Sequence, residues 1–300
     1  RQSSLESKTV YGDSYDSYRF VHHDCTDASL FVQPGETSRG TKILVRRDIL
    51  DATFRITFGA ISHHYFAGFG GGRKLIFPGL GFRDSIYLNH SLFLDRDDEH
   101  LSPGCMPGNL TGNPLASDLE EIDQRNPVPR VNIHAVLNSQ GRVCELITGD
   151  TYTDFISACA RLDIFYRTQH RDQFKTVLAS CGGFPKDINL IQAHKAINNA
   201  AMFVKDGGNL IVLAQCRDGV GSKTFLPYFE NHSFTTTFEA LSARYQGNGG
   251  TALSMMTKTR RINIFLKTDL DDTICRTIGI QKAGGRGDIQ HLLDRAGPDS

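Results

Sequence analysis

The sequence predicts an α/β protein of two lobes, with mostly parallel sheets flanked by helices. Three observations carry this. Apolar, β-branched runs alternate with stretches of helical periodicity, which favours parallel strands joined through helices. The alternation halts at "QHRDQF" (169–174) and then restarts. At 300 residues the chain is long enough for two cores rather than one. We therefore expect an N-terminal lobe over 1–170 and a C-terminal α/β lobe over 171–300.

The elements follow in chain order. TKILVRRD (41–48) and FRITFGAI (54–61) read as strands, and a glycine-rich stretch follows the second directly. RDSIYLNHSLFL (83–94) has helical spacing, and Asn113-Pro114 opens a helix with proline at its first position. Residues 131–137 and 142–148 flank Asn-Ser-Gln-Gly as a hairpin, with a helix expected over 153–165. In the second half, KTVLASC (175–181), GGNLIVLAQC (207–216) and RINIFLKT (261–268) are strands. LIQAHKAINNAAMFV (190–204) is a helix, and shorter helices are expected near 271–278 and 288–295.

Composition excludes several classes. Lys plus Arg and Asp plus Glu both number 33, so the chain is formally neutral and lacks the concentrated positive charge that nucleic acid binding needs. No apolar run approaches the roughly 20 residues of a bilayer span. The first residues lack the apolar segment of a secretion signal. A cytoplasmic location is expected, with no membrane or nucleic acid partner. The seven cysteines are odd in number and form no CxxC pair, which favours reduced thiols over disulfides or a structural zinc site. The chain opens on Arg1 without a methionine, and both ends read as cut, so a fragment of a longer protein is expected.

The densest chemistry lies in HHYFAGFGGGRKLIFPG (63–79). A strand running into glycines can cradle phosphate with backbone N–H groups. The specific motifs fail. Walker A needs GK followed by Ser or Thr, whereas Arg73 separates Gly72 from Lys74 and Leu75 follows. GxGxxG would need glycine at Arg73, and the paired histidines are not HExxH. On these residues alone, a phosphate grip and a plain surface turn both stay open.

The wider pattern is more specific. HYFAGFGGGRKLIFPG, then NHS (89–91), then PKDINLIQAHKA (185–196), with TSRGT (37–41) and CRDGVGS (216–222), together resemble the lactate racemase family in order along nearly the whole chain. The resemblance implies a racemase or epimerase of a small 2-hydroxy acid, with 1–170 as the catalytic and cofactor-binding lobe, incomplete at its start, and the cofactor in the cleft between the lobes. Its cofactor would be a nickel-pincer nucleotide, Ni(II)-pyridinium-3,5-bisthiocarboxylic acid mononucleotide, with dedicated biosynthesis enzymes as maturation partners. Lys74 matches the family lysine that holds the pincer as a thioamide, with Gly71, Gly72 and Arg73 beside the cofactor. His90 matches the nickel-binding histidine, and imidazole suits a square-planar nickel set. His64 matches one of two catalytic histidines, which suit acid–base work near neutral pH. Gln192 and Lys195 match cofactor or substrate contacts from the second lobe, and Ile191 stands where the family has an aromatic residue.

The family's other catalytic histidine has no counterpart here. It belongs upstream, with Arg1 next after it, and His22 and His23 do not fit the role. The stretch given is therefore expected to be inactive by itself. Lys186 and Asp187 are expected to shape their loop and cap the following helix. The competing reading is a non-catalytic nucleotide- or cofactor-binding protein of the same fold.

Overall fold

A computed structural model describes residues 3–168, 172–230 and 233–296. The expected lobe boundary near 170 and the terminal residue Arg1 lie outside them.

The chain begins with α1 (Ser4–Tyr11), started by a Ser3/Glu6 capping box, and the single-turn α2 (Ser14–Ser17). β1 (Phe31–Glu36) and β2 (Lys42–Arg46) form an antiparallel hairpin, and Arg47–Leu50 closes into the short α3 rather than extending the strand. β3 (Arg55–Ala60) leads into the tight hairpin β4 (Ser62–His64) and β5 (Gly68–Gly70), then a 3₁₀ turn over Gly72–Leu75. α4 (Arg83–Ser91) stops three residues earlier than its periodicity suggests and is followed by β6 (Leu94–Asp95) and β7 (His100–Leu101). α5 (Pro114–Gln124) starts at the proline, with the Asn113 side chain accepting from Ala116 N–H. β8 (Arg130–Leu137), β9 (Val143–Gly149) and α6 (Tyr152–Tyr166) complete this half.

Its three-stranded sheet has the order β3-β8-β9, parallel at the first pair and antiparallel at the second. Two clusters fill this lobe. Ile43, Phe66, Phe77, Leu115 and Leu119 gather under α4 and α5, and Ile61, Phe69, Val136, Phe155 and Leu162 gather under α6.

The second half contains β10 (Phe174–Ser180), α7 (Leu190–Ala201) and β11 (Val204–Leu213). Then come α8 (Phe234–Ala243), α9 (Gly249–Arg261), β12 (Asn263–Lys267), α10 (Asp272–Thr277), β13 (Gln281–Lys282) and α11 (Arg286–Asp294). Its sheet, β10-β11-β12-β13, is parallel throughout. Helices α8 and α9 were not expected from the sequence. They join the lobes, because Leu94 of β6 packs with Phe238, Leu241, Leu253 and Met256. All seven cysteines are free, five of them buried. Among the described residues, no helix is long and apolar enough to cross a membrane.

Candidate functional site

The glycines of the loop hold the chain close rather than leaving an open cradle. Gly71 has φ +76°, and a Cβ there would lie 2.3 Å from the Ala60 carbonyl oxygen. Gly72 has φ +53°, and its Cβ would meet the Phe155 ring at 2.4 Å. Only glycine satisfies both the left-handed backbone and the contact. Their packing against β3 and α6 fixes where Arg73 and Lys74 point.

Arg73 turns inward. It is 5% exposed, its guanidinium lies 4.4 Å from the Phe155 ring centroid, and Nη2 donates to the Ala67 carbonyl at 3.3 Å. The side chain expected beside the cofactor is thus a buried cation supporting the loop from beneath. Burial lowers its pKa.

Lys74 lies beside His64, with Nζ 3.0 Å from Nε2. Burial, then the charges of Arg73 and Lys195, bring the amine down to about 7. His64 is held well below the usual imidazole range, first by burial and then by the charges of Lys74 and His90. Its Nδ1 accepts from the backbone N–H groups of Ala67 at 3.2 Å and Phe66 at 3.4 Å. An accepting Nδ1 puts the ring proton on Nε2, which then donates to the unprotonated Lys74 amine. In that state both groups are neutral, and each depends on the other being so.

His90 projects from α4 against the Phe66 ring, 5.8 Å between centroids. Its Nδ1 donates to the Ile86 carbonyl at 2.9 Å, which leaves Nε2 unprotonated with its lone pair free. That is the arrangement a metal-ligating histidine needs. Burial lowers its pKa to about 3, so a proton hardly competes for the lone pair. The helix is held by Asn89, which donates to buried Asp118 at 2.8 Å; Thr37 donates to the other Asp118 oxygen at 2.5 Å. His63 points elsewhere and pairs with Asp163 at 2.7 Å.

The second lobe contributes across the cleft. Lys195 Nζ donates to Gln192 Oε1 at 2.8 Å on α7, as their i, i+3 spacing allows. The Lys195 charge acts on both Lys74 and His64. Tyr65 ties the lobes together. Its hydroxyl lies 2.7 Å from Thr251 Oγ1 on α9, and its ring meets His194 of α7 edge-on at 5.2 Å. Ile191 packs partly buried against the second-lobe core. Asp187 does not cap α7, contrary to expectation. Asn189 does so, accepting from Gln192 N–H, while Asp187 accepts from Gln215 N–H and fastens the loop to the end of β11.

Sequence reasoning missed Asn113 and Tyr65. Asn113 donates to the Phe66 carbonyl at 2.9 Å and so holds the hairpin carrying His64. Its one sequence signal, Asn before Pro, pointed only to a helix start.

Comparison with known proteins gives a consistent picture. Residues 1–102 match the model of the lactate racemase N-terminal domain and 170–251 that of the C-terminal domain. Lactate racemase from Thermoanaerobacterium thermosaccharolyticum is 28% identical over 227 residues, 75% of this chain and 51% of that protein. Lactate racemase from Lactiplantibacillus plantarum is 30% identical over 217 residues, 72% of this chain and 49% of that protein. The chain thus spans about half the length of the curated relatives it matches. The lactate racemase apoprotein structure from T. thermosaccharolyticum superimposes with a TM-score of 0.89 at 23% identity, covering 100% of this chain and 72% of that one. A Thermotoga maritima protein gives 0.72 at 13% identity, covering 100% of this chain and 79% of that one.

Proposed function

Since the chain belongs to the lactate racemase family, we propose that it serves the racemisation or epimerisation of a small 2-hydroxy acid with a nickel-pincer nucleotide held on Lys74. The observation that carries this reading is the buried Lys74–His64 contact at 3.0 Å, with the amine held at about 7. A neutral, desolvated amine is a competent nucleophile at physiological pH, which acylation of Lys74 requires.

The donor set fits the cofactor. Lys74 would carry the acyl link, and His90, with Nδ1 engaged by Ile86, offers Nε2 to nickel. Gly71 and Gly72 shape the loop, and Arg73 supplies charge from beneath it. When bound, the group supplies an acceptor for the hydrogen on the substrate's carbinol carbon.

The chain's own residues do the rest. Once acylated, Lys74 can neither carry charge nor accept from His64. That releases His64 Nε2 from its partner and removes a group whose protonated form depresses its pKa. With Lys74 no longer accepting, the ring proton moves to Nδ1 at the expense of the Phe66 and Ala67 N–H contacts, and the Nε2 lone pair takes the substrate hydroxyl proton and returns it. Lys195 and Gln192 offer a cation and a donor to the substrate carboxylate, and Ile191 leaves an aliphatic wall beside them.

The ligand assignment is tested by metal content. Protein produced with the cofactor-biosynthesis enzymes is expected to retain nickel through gel filtration, to lose it in His90→Ala and to keep it in His63→Ala. Equal loss in both variants would overturn the role given to His90.

A further inference from the structure

A second cleft lies between the lobes; Tyr65 of the glycine-loop hairpin lines it, but His64, Lys74 and His90 do not. It is an open cleft of about 310 Å³, within the roughly 300–1,000 Å³ range of small-molecule sites. Phe93 and Met106 of the first lobe and Met202 of the second give it mainly apolar walls, and Tyr65 and Lys258 also line it. None of the described lining residues is Asp or Glu.

Lys258 is only 8% exposed. Its amine donates to Ser254 O at 2.8 Å and Ser254 Oγ at 2.7 Å, both within α9, and lies 3.5 Å from His194 Nε2. Among the described residues no carboxylate pairs with it. Buried lysines ordinarily have an anionic partner, since an unpaired buried ammonium is costly. Here burial and nearby Arg261 bring the amine down to about 7. His194 Nδ1 is likewise buried without a hydrogen-bond partner among the described residues. The cleft therefore joins an apolar groove to a buried amine with no carboxylate beside it among the described residues.

We infer that this cleft binds a small carboxylic acid with an apolar body, its carboxylate at Lys258 and its chain among Phe93, Met106 and Met202. None of its lining residues is one that holds the cofactor or moves the substrate proton in the proposed reaction. An occupant would touch both lobes at once, beside the Tyr65 hydroxyl that already links them. Such a ligand would favour the lobe arrangement that completes the cleft.

Isothermal titration of the chain with hexanoate tests this, with hexanamide as the uncharged control. Hexanoate is expected to saturate one site, and hexanamide to bind at least about 10-fold more weakly, the loss of one charge-assisted contact. Lys258→Met is expected to weaken hexanoate by a similar factor. Met202→Trp, at a position 45% exposed, is expected to block the cleft while leaving Lys258 intact. Lys74→Ala is expected to bind hexanoate as the wild type does. The inference fails if hexanoate shows no saturable binding or if hexanamide binds equally well. It also fails if Lys74→Ala abolishes binding while Met202→Trp leaves it unchanged.

Discussion

Lys74 is expected to titrate near neutrality, and this follows from where the loop places it. Burial is the first cause, followed by the charges of Arg73 and Lys195, and together they move the amine from 10.5 to about 7. A displacement of that size corresponds to about 5 kcal/mol between the two protonation states. At pH 7.5 about three-quarters of the amine is then unprotonated, against roughly one part in a thousand for an ordinary lysine. Competitive acetylation across pH 6–10, read by peptide mass spectrometry, is expected to give a Lys74 midpoint near 7. Arg73→Met removes the second cause and is expected to raise that midpoint. Lys258, also held at about 7, extends the effect to stability. Both lysines bind fewer protons folded than unfolded above pH 7, so stability rises with pH there, by about 1.4 kcal/mol per pH unit for each. The useful window is pH 7 to 8.5. Above it, the buried thiols of Cys159 and Cys181, pushed up to about 12, oppose the trend by keeping protons that the unfolded chain releases. A Lys74 midpoint above 9, or stability that falls across pH 7 to 8.5, would refute the reasoning.

Three further outcomes are expected. Gly72→Ala forces a Cβ to 2.4 Å from Phe155 at a left-handed position, so denaturant unfolding is expected to show a loss of about 2–4 kcal/mol; a loss below about 1 kcal/mol would contradict the packing role. Tyr65→Phe removes the hydrogen bond to Thr251 and is expected to cost about 1 kcal/mol by the same assay, with no loss if the contact is not formed in solution. In cofactor-loaded protein, His64→Asn is expected to slow interconversion of lactate enantiomers about 10²–10⁴-fold by chiral chromatography; an unchanged rate would remove His64 from the proton transfer.

Local patterns were legible in the sequence. Strands β3, β8, β9, β10, β11 and β12 follow β-branched runs, and α5 begins where Asn113-Pro114 signals it. What escaped depends on contacts far apart in the chain. Helix α9 is buried from Gly249 through Met256, so it lacks the polar stripe that reveals an amphipathic helix, and it opens on two glycines. β1 contains Pro34 and Gly35, which argue against a strand, and the hairpin tolerates them at a shift in register. The order of the glycine loop, Lys74 and His90 could be read directly. Its mechanical basis could not, because Gly72 is required by Phe155 on α6, more than eighty residues away. Tyr65–Thr251 joins the β4–β5 turn to α9 and His194–Lys258 joins α7 to α9, and neither leaves a local signature.

The central claim is that Lys74 carries the cofactor, and intact and peptide mass spectrometry test it most directly. The chain is produced together with the nickel-pincer biosynthesis enzymes. The account predicts one added mass on the wild type, located on the peptide containing Lys74, and none on Lys74→Ala, whose fold is unchanged. An adduct that persists in Lys74→Ala, or that maps to another residue, would contradict it.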